Sequence, residues 1–220
     1  MKQAYFTVHN LEQVAAAMAS ETGGGRRARQ VLEPSQAALL VLDLQRYFLE
    51  PDSHAYIPSA AAILPGIQRL MVAFRQLERP VICSRHTNTR ENAGNMARWW
   101  QDLIDPRDPL SNLTPELQLD GTRLLEKHQY DAFLDTGLAD ELRSLGCSQV
   151  LVCGVMTHLC CESTARGAFM RGFEVFFCID GTATYNAEFH RASLLNLAHG
   201  CASLVQVKEA LAACQQVPGD

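Results

Sequence analysis

Side chains that could act together in hydrolysis follow three apolar runs of the sequence. Asp43 ends the run AALLVLD, Lys127 ends the short predicted strand 122–127, and the adjacent Cys160 and Cys161 come shortly after SQVLVCGV. A thiolate is a strong nucleophile, a carboxylate can take the proton of a thiol, and an ammonium group beside a thiol lowers its pKa. Taken singly, Asp43 also suits a turn or a helix cap, Lys127 a solvated surface, and both cysteines a packed core.

The elements that must position these residues follow an alternation of strands and helices. Apolar runs predict the strands, and apolar residues at spacings of three and four predict the helices. The predicted strands cover residues 37–43, 80–86, 122–127, 148–155, 173–180 and 202–207; the predicted helices cover 60–74, 135–145, 160–171, 187–199 and the stretch from 208, with a short helix around 91–104 inside the polar insertion 87–121. This pattern indicates an α/β fold of three α/β/α layers, with a doubly wound, mostly parallel sheet of about six strands. In such sheets the active site lies at the carboxyl ends of the strands.

The helical periodicity after residue 154 separates the two adjacent cysteines. Cys161 shares one helix face with Thr164, Ala165, Ala168 and Phe169, so it is predicted to pack on the sheet. Cys160 lies about 100° away around the helix axis, in the first turn. Unpaired N–H groups and the positive end of the helix dipole favour a thiolate at that place, so Cys160 is the predicted nucleophile.

Two parts of the chain differ in character. Residues 1–35 are predicted to form an N-terminal extension, with a short helix over 11–18 and a flexible connector GGGRRAR; residues 36–220 are predicted to form one domain. No internal repeat marks a further boundary.

The composition excludes several classes of protein. Hydrophobic residues make up 47% of the 220 residues and charged residues 20%, which is the balance of a globular domain. The net charge of −5 and the absence of a Lys/Arg-rich run disfavour a nucleic-acid partner. No apolar stretch is long enough for a membrane span, and the start resembles no signal peptide, so a cytoplasmic location is expected. The eight cysteines, which form no CxxC motif, are expected to be free thiols.

Three segments, in order and in spacing, resemble the isochorismatase-like cysteine hydrolases. VLDLQRYF resembles the family's first strand, LLEKHQYDAF resembles its segment K-x-x-x-S-A-F, and GVMTHLCCESTARGAFMRGFEV resembles its strand–turn–helix signature. The resemblance covers residues 37–207 and implies a catalytic set of Asp43, Lys127 and Cys160. It also implies a cis peptide bond after Val155, with backbone amides near Met156, Thr157 and Cys160 directed at a developing oxyanion.

The departures from the family pattern bear on metals and on the reaction. Family members that bind zinc or iron, the nicotinamidases, carry D-x-H after the second strand, where this chain has His86-Thr87-Asn88. No metal and no other cofactor is therefore expected. True isochorismatases carry a small residue at the position of Cys160. The sequence thus points away from both nicotinamidases and true isochorismatases.

Residues of the three motifs, of the second strand and of the insertion are expected to bind the substrate: Gln45, Phe48, His86, Trp99, Trp100, Phe133 and His158. Several alternatives stay open. His86 suits a hydrogen bond to the substrate or a structural contact. Trp99 and Trp100 suit the pocket or an interface, and His158 suits the pocket or a neighbouring subunit. Asp131, where the family has serine, suits a pair with Lys127 or a position in solvent.

The predicted function is metal-independent hydrolysis of a C–N bond in a small amide or carbamoyl compound, through a thioester on Cys160. One alternative is isochorismatase-type vinyl-ether hydrolysis with Asp43 as general acid. Another is a non-catalytic scaffold with the same fold. The resemblance also implies a homodimer or homotetramer. The substrate itself cannot be named from the sequence.

Overall fold

One parallel sheet of six strands organises the molecule. The computed structural model describes residues 1–22, 30–100 and 102–217. The strands are β1 Ala37–Leu42, β2 Val81–His86, β3 Arg123–Lys127, β4 Gln149–Val155, β5 Glu174–Ala183 and β6 Ser203–Val205. Their order in the sheet is β3-β2-β1-β4-β5-β6, and every neighbouring pair is parallel. The predicted doubly wound α/β sheet is thereby confirmed.

The central strand β1 explains why its sequence is apolar throughout. It pairs with β2 on one side and β4 on the other, and all six of its residues are buried. A strand covered on both faces needs no polar alternation. The chain reverses its direction of winding between β1 and β4, which is the switch point where doubly wound folds bind ligands.

Helices cover both faces of the sheet. They are α1 Leu11–Glu21, α2 Arg46–Leu49, α3 Ala60–Gln76, α4 Met96–Trp99, α5 Leu138–Ser144, α6 Glu162–Met170, α7 Ala187–Gly200 and α8 Val207–Gln215. Helix α3 packs on α8, and α6 packs on α7. Within the described ranges, no helix combines the length and the apolar character that a membrane crossing requires.

Two predicted helices differ from the observed ones. The helix expected around 91–104 is the single turn α4, bounded by Gly94, which has a left-handed φ of 54°, and by the extended residue Trp100. The helix expected from residue 160 begins instead with a π-helical turn, Thr157–Cys161, which continues into α6. Cys160 therefore lies inside a widened turn and not at a free helix start.

The first 22 residues pack into the same core as the sheet. Phe6 and Ala15 are fully buried, and Tyr5 and Met18 are nearly so. The predicted helix over 11–18 is observed and is longer, whereas the GGGRRAR connector lies outside the described residues. All eight cysteines are free, and all but the partly exposed Cys201 are buried.

Candidate active site

Four reactive side chains meet at the carboxyl edge of the sheet. Asp43 follows β1, His86 ends β2, Lys127 ends β3, and Cys160 follows β4. These four strands are consecutive in the sheet order, so the chain positions far apart in sequence become neighbours in space. All four side chains are buried.

Asp43 sits in an unusual backbone conformation that directs it into the site. Its φ is 52°, in the left-handed region that aspartate tolerates better than most residues. Its amide donates to the carbonyl of Ser84 on β2, and its Oδ1 accepts a hydrogen bond of 2.6 Å from the Ser84 hydroxyl. Ser84 thus fixes one carboxylate oxygen and leaves Oδ2 facing Lys127.

Lys127 is the centre of the cluster. Its Nζ lies 2.8 Å from Asp43 Oδ2, 3.3 Å from Cys160 Sγ, 3.2 Å from His86 Nδ1 and 3.0 Å from the carbonyl of Gln129. An ammonium group has three protons to donate. The contacts therefore link the predicted base and the predicted nucleophile through a single cation.

The charges in the cluster follow from burial and proximity. Burial opposes the charge on Asp43, but Lys127, His86 and a hydrogen bond with Cys160 together outweigh it and lower the pKa of the carboxyl. Burial likewise opposes the charge on Lys127, but Asp43 and Cys160 outweigh it and raise its pKa. Burial and then the negative charge of Asp43 raise the pKa of Cys160, against the opposing effect of Lys127.

The resting site therefore holds an Asp43–Lys127 ion pair beside a neutral thiol. The thiolate expected from a helix start is not the resting form, because burial and Asp43 together outweigh Lys127. A neutral thiol beside a carboxylate still suits attack, provided that the carboxylate takes the proton as the sulfur approaches a carbonyl.

The turn that carries Cys160 starts at a close approach between strands. The peptide bond between Val155 and Met156 is cis. Just before it, Gly154 has a φ of 114°, and a Cβ at that position would lie 2.1 Å from the carbonyl oxygen of Leu42. Cys161, on the next face, is fully buried. The directing of amides at Met156, Thr157 and Cys160 towards an oxyanion stays a prediction.

A cavity of about 330 Å³ opens onto Cys160. Its wall is mainly aromatic and aliphatic. The lining residues are Tyr47, Phe48, His54, Ala55, His86, Asn88, Met96, Trp99, Trp100, Asp102, Leu103, Ile104, Tyr130, Met156, Leu159, Cys160 and Tyr185. The volume lies near the lower end for small-molecule sites, which suits a substrate of about one ring.

The two tryptophans stand in the cavity wall. Trp100 is 37% exposed and its indole N–H donates a hydrogen bond of 2.8 Å to the Tyr130 hydroxyl, while Trp99 is 78% exposed. Of the expected substrate contacts, Phe48, His86, Trp99 and Trp100 line the cavity.

Three other expected substrate contacts lie outside the cavity wall. Gln45 is fully buried, and its amide clamps the backbone of His86 and the carbonyl of Ser111. Phe133 stacks on Phe173 at 5.7 Å between ring centroids.

His158 turns away from the cavity as well. Its ring stacks on Phe189 at 4.5 Å, and its Nδ1 lies 2.6 Å from the hydroxyl of Thr184. These corrections to Gln45, Phe133 and His158 share a cause, because a motif places a residue near the site without fixing the direction of its side chain.

The contacts of His86 and Asp131 bear on the alternatives that the sequence left open for these two residues. His86 Nε2 lies 2.6 Å from the Asn88 amide oxygen, and burial, followed by Lys127, lowers the His86 pKa to about 4. His86 is therefore neutral. Asp131 pairs with Arg171 at 3.2 Å, so it neither contacts Lys127 nor stands free in solvent.

The cluster does not fit a metal ion. Ligand atoms of Asp43, His86 and Cys160 lie within 4.8 Å of one another. Lys127 Nζ contacts all three, and Asn88 takes the second nitrogen of His86. A cation bound there would face the buried ammonium group of Lys127, which already pairs with the one negative charge of the cluster, that of Asp43.

Several lining residues were not predicted. Tyr47, Tyr130 and Tyr185 line the cavity, as do His54 from the loop after α2 and further residues of the insertion 87–121. Tyr185 follows the end of β5, so the rule that placed the catalytic set at strand ends could also have indicated it. Tyr47 precedes the predicted Phe48, but alternation alone does not show which aromatic residue faces the cavity, and here both do.

Sequence comparison groups the chain with one family. The Isochorismatase domain matches residues 37–209. Nicotinamidase 3 of Arabidopsis thaliana is 40% identical over 174 residues, which cover 77% of this chain and 84% of that protein. The isochorismatase of Bacillus subtilis is 28% identical over 196 residues, which cover 86% of this chain and 62% of that protein.

Structural comparison agrees. A cysteine hydrolase from Pseudomonas syringae superposes with a TM-score of 0.81 at 26% identity, covering 85% of this chain and 96% of that one. The pyrazinamidase of Pyrococcus horikoshii, determined in complex with zinc, has a TM-score of 0.71 at 24% identity and shows the shared fold. With the domain match over most of the chain and the parallel sheet that carries the site, the protein belongs to the isochorismatase family of hydrolases.

Proposed function

We propose that the protein hydrolyses the C–N bond of a small, uncharged amide with Cys160 as the nucleophile. The observation that carries this proposal is the position of Lys127 Nζ, 2.8 Å from Asp43 Oδ2 and 3.3 Å from Cys160 Sγ, at the inner end of an aromatic cavity. A base, a cation and a thiol in mutual contact form the kind of set that acyl transfer requires.

The first half of the reaction forms a thioester. Asp43 takes the proton of the Cys160 thiol as the sulfur attacks the amide carbonyl carbon, and a C–S bond forms. The carbonyl oxygen becomes an oxyanion, for which backbone amides of the turn are the expected donors. The proton then passes from Asp43 to the leaving nitrogen, the C–N bond breaks, and ammonia or an amine departs. Lys127 balances the negative charge throughout.

The second half consumes one water molecule. Asp43 takes a proton from water as its oxygen attacks the thioester carbonyl. The C–S bond breaks, the sulfur regains a proton, and a carboxylic acid is released. The site returns to the neutral thiol that its raised pKa favours.

The cavity favours an uncharged substrate. Asp102 is the sole carboxylate among the described lining residues, and no arginine or lysine is among them. Asp102 also lies 3.5 Å from His54 Nδ1 at an exposed position. A substrate carboxylate would find no cation in this wall, whereas six aromatic rings offer flat apolar surfaces to a planar acyl group.

The relatives refine the choice of test compounds. The missing D-x-H pattern pointed away from nicotinamidases, but the relative at 40% identity bears the name Nicotinamidase 3. Nicotinamide therefore becomes the first compound to assay. The name of the Bacillus subtilis relative keeps vinyl-ether hydrolysis of isochorismate as an alternative. Isochorismate carries two carboxylates, and the described cavity wall offers no arginine or lysine to pair with them.

The test compares variants at the two adjacent cysteines. Nicotinamide, pyrazinamide, benzamide, acetamide, N-carbamoylsarcosine and isochorismate are incubated with the wild type, Cys160→Ala and Cys161→Ala, and ammonia, acid or pyruvate is measured. We expect turnover of the neutral aromatic amides by the wild type. Cys160→Ala should lower kcat at least about 10³-fold, because nucleophile and base act as a unit.

Cys161→Ala is the matched control, since it removes a buried thiol from the next face of the same turn. It should retain most of the kcat. Amide hydrolysis that survives Cys160→Ala would overturn the thioester mechanism. Isochorismate turnover by Cys160→Ala would establish vinyl-ether hydrolysis as the activity. If mass spectrometry detected no acyl group on any cysteine after incubation with the amides, a non-catalytic scaffold would be favoured.

A further inference from the structure

We propose that the N-terminal segment, residues 2–6, is part of the catalytic apparatus, and that Tyr5 is a positioning residue for the turn that carries Cys160. This inference rests on the proposed function. It concerns a part of the chain that lies before residue 37, where the match to the Isochorismatase domain begins.

A buried chain of polar contacts connects Tyr5 to the nucleophile turn. The Tyr5 hydroxyl lies 2.9 Å from His190 Nδ1, and the Thr157 hydroxyl lies 3.0 Å from the same nitrogen. The Tyr5 hydroxyl also accepts a hydrogen bond of 3.0 Å from the amide of Thr184. Because the Thr184 amide uses a lone pair of the tyrosine oxygen, the hydroxyl proton of Tyr5 remains available for His190 Nδ1.

All members of this chain are shielded from water. Tyr5 is 7% exposed, and both His190 and Thr157 are fully buried. Burial lowers the pKa of His190 to about 3, so the ring is neutral, and the single lone pair of Nδ1 is shared by the hydroxyl groups of Tyr5 and Thr157. Buried polar groups of this kind hold a defined geometry, because leaving one of them unpaired is costly.

Thr157 is well placed to transmit that geometry to Cys160. It is the first residue of the π-helical turn Thr157–Cys161 and follows the cis bond and Met156. The amides of Leu159 and Cys161 both donate to the carbonyl of Met156, so the turn moves as one unit. A shift of the Thr157 side chain therefore displaces the sulfur relative to Lys127.

The same segment also supports the cavity wall. The amide of Gln3 donates a hydrogen bond of 2.7 Å to the carbonyl of Tyr185, which lines the cavity. Lys2 donates to the carbonyl of His54, another lining residue. The amides of Tyr5 and Phe6 both donate to the buried hydroxyl of Ser59, which fixes the segment on the body of the protein.

The experiment removes single hydroxyl groups. Tyr5→Phe and Thr157→Val each delete one end of the chain of contacts and retain the shape of the side chain. We expect kcat to fall about tenfold in each, with KM little changed, because a small displacement of a nucleophile affects attack more than binding. The double variant should lose little more than either single one, because both hydroxyls act through His190. Thr157→Ser, which keeps a hydroxyl, should lose less than Thr157→Val.

The control is Tyr56→Phe, which makes the same chemical change outside the cavity wall and outside this chain of contacts. It should keep the wild-type kcat. All assays are done on the full chain at a temperature where thermal melting shows each variant to be folded. Equal kcat for Tyr5→Phe and Tyr56→Phe, or fully additive losses in the double variant, would overturn the positioning role.

A second readout separates this inference from the proposed function. The rate at which iodoacetamide alkylates Cys160, followed by peptide mass spectrometry, needs no substrate. If Cys160→Ala retained amide hydrolysis, the proposed function would fail. The alkylation rates would still decide the positioning role: a slower or faster rate in Tyr5→Phe and Thr157→Val than in Tyr56→Phe supports it, and equal rates refute it.

Discussion

The ammonium group of Lys127 contacts a carboxylate, a thiol sulfur, an imidazole nitrogen and a carbonyl oxygen, all within 3.3 Å. The carboxylate, the thiol and the imidazole all belong to buried side chains, so little water is available to balance the charges. In such surroundings, loss of Lys127 or of Asp43 leaves the other residue as an uncompensated buried charge. The main consequence is a shift in the pKa of the residue that remains. Lys127 therefore helps to keep Asp43 charged, which is the state that the proposed role of Asp43 as a base requires.

Replacement of Lys127 by methionine tests this dependence. Without the cation, burial should outweigh the remaining hydrogen bonds of Asp43 with Ser84 and Cys160, and the Asp43 pKa, which Lys127 lowers in the wild type, should rise above the usual range of a carboxyl. Between pH 5 and 8 we expect a nearly flat kcat/KM for the wild type, since its acid limb lies below that window. Lys127→Met should be at least about 100-fold less active at pH 6, with activity that rises as the pH rises. The measurement is kcat/KM against pH.

Lys127→Arg is the matched variant, because it keeps the positive charge and changes the shape of the cationic group. It should be less active than the wild type but should keep the flat profile. Thermal melting at each pH excludes unfolding as the cause. A flat profile in Lys127→Met would show that Asp43 does not depend on Lys127 for its charge.

At the scale of elements, the strands and the site edge were predictable, because apolar runs report burial directly. The run 37–42 is buried throughout as β1, and the candidate site is formed by Asp43 after β1, Lys127 at the end of β3 and Cys160 after β4. The rule that parallel strands align their carboxyl ends needed no knowledge of the strand order. Periodicity also separated Cys161, which is fully buried in the core, from Cys160, which faces the cavity.

Side-chain direction and long-range contacts were not predictable from the same patterns. Gln45 and His158 lie in recognised motifs, yet each is held by a residue distant in sequence, Ser111 and Thr184 respectively. The resting thiol of Cys160 depends on burial and on Asp43, which a helix-dipole argument does not include. The docking of Tyr5 against His190 joins residues 185 positions apart, and local sequence contains no signal for it.

The close approach of β1 and β4, which are paired neighbours in the sheet, gives a prediction for Gly154. A Cβ there would lie 2.1 Å from the carbonyl oxygen and 2.5 Å from the amide nitrogen of Leu42, and both are backbone atoms that cannot move aside. The φ of 114° adds a second obstacle to any side chain. We expect Gly154→Ala to lower the free energy of unfolding by at least about 3 kcal/mol. Urea unfolding at pH 7 measures it.

Gly200→Ala is the control at a helical glycine. Its Cβ would find only a guanidinium nitrogen of Arg166, at 3.9 Å, which is ordinary contact. The free energy of unfolding should change by less than about 1 kcal/mol, because alanine is the better helix former. An unfolding midpoint for Gly154→Ala equal to that of the wild type would contradict the close approach of β1 and β4.

At the scale of the whole molecule, the core encloses two neutral histidines that come from opposite parts of the structure. His86 ends β2 beside the catalytic cluster, and His190 in α7 joins the N-terminal segment to the nucleophile turn. Burial lowers the pKa of His86 to about 4 and that of His190 to about 3. In the folded protein, both rings therefore bind their second proton only at a pH well below that of the unfolded chain. The stability of the whole molecule consequently depends on pH.

The sign of this dependence follows from proton binding. Below about pH 6.5 the unfolded chain protonates both imidazoles while the folded chain does not, so stability is full above that pH and falls as the pH decreases. Each histidine should remove about 2 kcal/mol of unfolding free energy between pH 7 and pH 5. The raised pKa of the buried Asp180 acts in the opposite direction, since its stabilising effect is lost as the pH rises. Urea unfolding at both pH values measures the net change.

His190→Gln isolates one of the two contributions. The variant should be less stable than the wild type at pH 7, because it disturbs the contacts of Tyr5 and Thr157, yet it should lose about 2 kcal/mol less between pH 7 and pH 5. His9→Gln serves as the control, since it makes the same substitution at an exposed position. Equal losses in His190→Gln and His9→Gln would show that His190 is already protonated at pH 5, or solvated, in the folded molecule.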